Sequence, residues 1–335
     1  MAKAIGVYAF VASAGGAVGL LAGGILTQAI NWHWIFFVNL PIGVVTAVLT
    51  LRVVPRDRGT GRGQGADVTG ALLITGAMML GVFTIVKPAA ENGWLAGRTL
   101  AFGAVAAALL AGFIVRQLTA RNPLMPLRVL TARKVAAANL IQVLSVAGMF
   151  GMFFLGALYL RRILGYSPLQ IGLAFLPVAV VMGTLSVRYT GRLAARFGPR
   201  ATLIAGLVLI TAALVLFAQA PVRGGYAVHD LPVMLLMGAG AGLAFPALMT
   251  AAMAGATPAD AGLASGLVNT TAQVGGALGL AVLATVSVGR TSALAARGAG
   301  AAAALNDGYH LAFWIAAGLV AAAIAVAGTV LRPGD

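Results

Sequence analysis

Long apolar stretches, broken by short turns rich in charge, glycine or proline, run the whole length of this chain. About ten are distinguishable, at roughly residues 4–29, 35–53, 68–87, 99–118, 135–160, 168–189, 201–219, 230–253, 261–287 and 309–331. Each is close to the ~20 residues that carry a helix across the hydrocarbon of a bilayer. Apolar and polar residues do not alternate with period two, and open sheet edges cannot face lipid, so strands are not expected. The pattern therefore predicts an all-α integral membrane protein with about ten transmembrane helices.

Composition sharpens this. With 61% hydrophobic and 9% charged residues and a mean hydropathy of +0.99, a soluble globular chain is excluded. The net charge of +15 does not point to nucleic acid, because the Lys and Arg residues form no basic face and no aromatic-interleaved surface. They sit at the ends of the apolar runs. With the N-terminus placed in the cytoplasm, 15 of the 22 basic residues fall on the cytoplasmic side, the richest clusters being Arg52 to Arg62, Arg116 to Lys134 and Arg188 to Arg200. The other seven, from Lys87 to Arg297, fall outside, so the positive-inside rule predicts a multi-pass protein of the cytoplasmic membrane with both termini inside. The first run follows Met1-Ala2-Lys3 directly, without a small-residue cleavage site, and is expected to remain as a span. There is no cysteine, which removes disulfides and thiolate metal sites, and His33, His229 and His310 have no ligand spacing. Ser265 before Gly266 lacks a partnered histidine, so an enzyme is not expected either.

The first span carries Gly6, Gly15, Gly19, Gly23 and Gly24. Gly15 and Gly19 make one G-x-x-x-G, and Gly19 and Gly23 repeat it, which lets another helix approach at backbone contact. Written G(x)8G(x)3G-L-(x)2-G-G, the stretch resembles the antiporter motif in the fifth helix of proton-coupled drug exporters of the major facilitator superfamily. Leu20 stands where that motif usually has proline, so a hinge is not expected there while close packing is. The next string, Asn31-Trp32-His33-Trp34-Ile35-Phe36-Phe37-Val38-Asn39-Leu40-Pro41-Ile42-Gly43, is similar to the outer turn between helices five and six of the fourteen-helix drug:proton antiporters, and its aromatics suit a membrane interface.

Two further strings carry the same resemblance. Gly191, Arg192, Arg196, Gly198, Pro199 and Arg200 form what looks like the second copy of the superfamily's cytoplasmic signature loop, with Ala195 at its usual acidic position. Glycines permit a tight turn there, and arginines pair with carboxylates or helix C-termini to make a latch. A positive-inside loop with a purely topological role is the plainer reading. The run from Ala261 to Gly276 resembles the thirteenth helix, where Asn269 and Gln273, four residues apart, share one face. They line a cavity or serve as hydrogen-bond glue between helices. A substrate surface of aromatic, flexible and amide groups is expected on the span from Val135 to Leu160, at Asn139, Gln142, Met149, Phe150 and Phe153, against the alternative of ordinary packing.

The resemblance implies a major facilitator superfamily fold that is N-terminally truncated, corresponding to helices five to fourteen. Residues 1–53 would supply the last two helices of the N-terminal bundle. Residues 54–134 would hold two central linker helices between two cytoplasmic loops, and residues 135–335 a six-helix C-terminal bundle. All seven acidic residues are expected in loops or at span ends, with Asp67 and Asp260 as helix N-caps, so no mid-membrane carboxylate is expected to couple protons. The implied function is proton-coupled efflux of small lipophilic, drug-like compounds, cations among them, by alternating access, with the lipid bilayer as the chain's partner. No cofactor is implied beyond the proton gradient, and the missing helices would be needed in cis or in trans. The alternatives are a non-transporting remnant or assembly partner, and a facilitator of a native metabolite.

Overall fold

The structure, a computed structural model, describes residues 15–53 except 17 and 20, then 67–89, 91, 93–120, 123–124, 133–254 and 261–330. Gly6, Asp260 and the Pro55 to Ala66 loop lie outside the described residues, as does most of the loop from Thr119 to Lys134.

The described residues are helical throughout their regular structure. The helices are α1 (21–29), α2 (Trp34–Phe37), α3 (Asn39–Val53), α4 (Val68–Thr84), α5 (Gly97–Thr119), α6 (Arg133–Arg162), α7 (Pro168–Arg188), α8 (Thr190–Phe197), α9 (Pro199–Phe217), α10 (Tyr226–Ala254), α11 (Ala261–Ala296) and α12 (Ala301–Val330). Nine helical stretches among the described residues are long and apolar enough to cross a bilayer. The tenth expected span is the first, of which only part is described.

Three ends differ from the sequence reading. Helix α10 begins at Tyr226 rather than 230, α11 runs on to Ala296, and α12 begins at Ala301 rather than 309. In each case the helix continues through polar residues that hydropathy reads as loop. The backbone needs only its own hydrogen bonds to propagate and tolerates polar side chains in its end turns. Two acids expected in loops or at span ends, Asp230 and Asp307, consequently lie within helices.

Helices α6, α7, α9, α10, α11 and α12 pack as one bundle. α6 is flanked by α11 and α12, α10 lies between α9 and α7, and α9 and α12 close the ring. Its core holds Tyr159, Phe217 and Phe313, each with 3% or less of its surface accessible. Phe217 stacks on Phe313 at 4.6 Å between centroids and meets Tyr159 edge-on at 5.4 Å. Lipid tails are as apolar as these side chains, so close van der Waals contact, rather than escape from water, holds the bundle.

That contact depends on small residues. On α10, Gly238 and Gly242 face α7, where an added Cβ would fall 2.6 Å from Val178 O and 2.8 Å from Met182 O. Gly240, on the opposite side of the same helix, would strike Gly206 O of α9 at 2.6 Å. Gly275 and Gly279 of α11 make a further small-xxx-small pair against Val143 and Ala147 of α6.

Helices α4 and α5, expected as linkers, pack mainly on each other, joined at one end by Asp67. At the other end α4 widens into a π-helical turn, Ile85–Ala89, which contains Pro88. This turn touches α11, where Thr285 donates to Ile85 O at 3.2 Å. Helix α3, in contrast, packs mainly against α2 among the described residues, and every residue from 28 to 53 is exposed.

Candidate functional site

Among the described residues, the glycine-rich first helix meets the bundle at Gly24. A Cβ on Gly24 would lie 2.9 Å from Pro168 O and 3.0 Å from Leu169 Cα, so α1 touches the start of α7 backbone to backbone. The contact is possible because α7 has a well-fixed start. Ser167 and Gln170 close a capping box, with Ser167 N–H donating to Gln170 Oε1 at 2.8 Å, and Pro168 occupies the first turn. At Gly23 the nearest atom is Ile35 Cδ1 at 4.0 Å, and at Gly15 and Gly19 no described atom comes within 4 Å. The aromatic turn that follows is closed by Asn31, whose Oδ1 accepts from His33 N–H at 3.0 Å, and Trp32 stacks on His33.

The signature loop is a short helix, α8, tied to the bundle at both ends. At its start Thr190 Oγ1 donates to Gly242 O of α10 at 2.8 Å, beside Ser186 Oγ at 3.1 Å. At its end Gly198 takes φ +85°, a conformation that suits glycine, and Pro199 then opens α9. Arg200 crosses to the last turn of α12, donating Nε to Ala327 O at 3.3 Å and Nη2 to Gly328 O. A guanidinium on those carbonyls satisfies the negative end of the helix. Arg192 and Arg196 are exposed, Arg196 lying over the Phe197 ring, and Gly191 and Ala195 are exposed with them.

The expected substrate surface is divided among several contacts. Asn139 is buried on α6 and accepts at Oδ1 from Thr271 Oγ1 of α11 at 2.8 Å. Gln142 is buried, while Met149 and Phe153 sit half-buried on the core, Phe153 meeting Phe175 of α7 at 5.4 Å. Phe150 is 40% exposed and rests on the glycine surface at Gly276. Asn269 and Gln273 share an exposed face of α11, and Asn269 donates to Ser265 O of its own helix. Asn139 was expected on a substrate surface or in ordinary packing, and its contact joins two helices of the bundle. Thr271, its partner, carried no distinguishing signal in the sequence, because an isolated Thr in an apolar span has many uses.

The Major Facilitator Superfamily model matches residues 1–280. The chain belongs to this superfamily. Its curated relatives include the puromycin resistance protein of Streptomyces alboniger, 39% identical over 328 residues, an overlap of 95% of this chain and 64% of the relative. The tetracenomycin C resistance and export protein of Streptomyces glaucescens is 34% identical over 86% of this chain and 53% of its own length. The chain thus spans between half and two thirds of the length of these superfamily members. In fold it is similar to a bacterial homologue of the human lysosomal transporter Spinster, solved in an inward-facing, occupied conformation, with a TM-score of 0.52 at 16% identity over 99% of this chain and 85% of that one.

Proposed function

We propose that this chain forms the C-terminal bundle, the linker helices and part of the N-terminal bundle of an exporter that moves small lipophilic compounds, cations included, across the cytoplasmic membrane by alternating access. The similarity to a puromycin resistance protein over 95% of the chain carries this reading. It gains support from an export protein matched over 86% of the chain. Both termini are placed in the cytoplasm, where the basic loops cluster.

In this reading the two bundles rock about a midplane site. The Gly24 contact between α1 and α7 is the bearing surface between them, and Arg200 on the end of α12 keeps one side of the C-terminal bundle rigid as it moves. Phe150, Asn269 and Gln273 offer an exposed aromatic and amide surface for a lipophilic ligand. The bare circumference of α3 leaves room for the remaining helices of the N-terminal bundle, supplied in cis or in trans. Proton movement down its gradient is the proposed energy source, with no cofactor.

The test is accumulation of a fluorescent lipophilic cation in cells expressing the native-length protein, with and without a protonophore. Lower accumulation that the protonophore abolishes is expected. Accumulation equal to that of cells lacking the protein contradicts the reading, and protonophore-insensitive counterflow of a metabolite would favour a facilitator instead.

A further inference from the structure

Asp230, in the first turns of α10, is completely shut in. It has 0% accessible surface, and neither carboxylate oxygen meets a hydrogen-bond donor. The other described acids are placed differently. Asp67 is buried but takes donors from Gly70, Arg116 and Gln117, Asp307 pairs at 2.7 Å with Arg290 while both remain partly exposed, and Glu91 is exposed. An ionised carboxylate at position 230 would have no solvation, no hydrogen-bond donor and only the adjacent, exposed His229 to offset its charge, a costly state for such a group, whereas the neutral acid is tolerated there.

The neighbours reinforce this. Tyr159 of α6 and Tyr226 lie within electrostatic range of Asp230. Both hydroxyls are already committed as donors elsewhere, Tyr159 to Pro221 O at 2.8 Å and Tyr226 to Ala174 O at 2.7 Å. Of the charges at the end of α6, Arg161 donates to Tyr166 O and Arg162 interacts with Tyr309 of α12. His229 is exposed, with Nδ1 at Gly225 O. The charged residues of α7 and α9, Arg188 and Arg200, stand at the opposite ends of those helices. Two residues beyond Asp230, Pro232 offers no N–H to the carbonyl four residues back, which makes this turn of α10 a place where the helix opens readily.

We propose that Asp230 is a proton-binding site of the C-terminal bundle, at the end opposite the signature loop. The acid is neutral while residues 218–225 and the start of α10 cover it. When that end opens and water enters, the O–H bond of the acid breaks, the proton passes to water, and the carboxylate that remains is solvated. The protonation of Asp230 in the closed bundle does not rest on the export reading; exchange of its proton with outside water during the proposed cycle does.

Infrared spectroscopy of the native-length protein in liposomes at neutral pH, without substrate or gradient, reads the protonation directly. The expected result is a protonated-carboxyl stretch that moves to lower frequency when the aspartates carry a 13C label and that is missing from Asp230→Asn. The amide imitates the neutral acid, so this variant should unfold at the same temperature as the parent. Absence of a label-sensitive band, or a band that survives in Asp230→Asn, overturns the assignment. Should Asp230→Asn not fold, Asp230→Glu is read instead. It should keep a protonated-carboxyl band that no longer responds to labelled aspartate, and loss of the band overturns the proposal. Failed export with the band present contradicts only the proposed function, and proton-driven export without it contradicts only the assignment of Asp230.

Discussion

Asp67 joins two helices through one carboxylate. Oδ1 accepts from Gly70 N–H and from Arg116 Nε, each at 3.0 Å, and Oδ2 accepts from Gln117 at 3.2 Å. Glycine at position 70 keeps the space open, since a Cβ there would lie 2.8 Å from Gln117 Nε2. The Gly70 hydrogen bond, and after it Arg116 and Gln117, hold the Asp67 carboxyl below its ordinary value against the opposing effect of burial. A group whose folded value is depressed stabilises fully above its unfolded value of about 4 and loses that contribution as pH falls through the folded value. Asp67→Asn should therefore lower the unfolding temperature at neutral pH, with the gap to the parent closing below about pH 4. A gap that is constant across pH contradicts the ionic role. The N-cap at Asp67 was legible from a carboxylate set before an apolar run, but its partners 49 and 50 residues away were not. Asp230 was read as the first residue of its span, and the helix start at Tyr226 was not legible, because a His-Asp pair soon after two glycines lowers local hydropathy whether or not the chain is helical.

At the scale of the helix, close approach decides which glycines matter. With 45 glycines in the chain, a single G-x-x-x-G is weak information: Gly15 and Gly19 meet no described atom within 4 Å, while Gly24 touches α7. The seams at Gly238, Gly240 and Gly242 and at Gly275 and Gly279 were not singled out. Their tightness becomes evident only when Val178, Gly206, Val143 and Ala147 are brought opposite them. Leucine at Gly279 has to force α11 away from α6, at an overpacking cost of about 1–3 kcal/mol. Leucine at Gly289, on the same helix with no neighbour within 4 Å, avoids that cost. Thermal unfolding in detergent should show Gly279→Leu well below the parent and Gly289→Leu near it. Equal losses would mean that helix propensity, rather than interhelical contact, sets the effect.

For the whole molecule, hydropathy gave the order of the nine spans among the described residues but not their arrangement. In water an amphipathic stripe tells which side of a helix is buried. In lipid both the outer and the inner faces are apolar, so that signal fades and topology must be read from glycines, loops and kinship. The six-helix bundle, the α4–α5 pair docked through the π-helical turn onto α11, and the exposed α3 are the parts on which the proposed exporter is built. Reconstitution of the native-length protein into liposomes with an imposed pH gradient tests this most directly. Movement of a lipophilic cation against its own gradient, with protons moving the opposite way and both fluxes stopping when the pH gradient collapses, is the expected result. Equal cation flux with and without the protein under the same gradient would contradict export as the function of this chain.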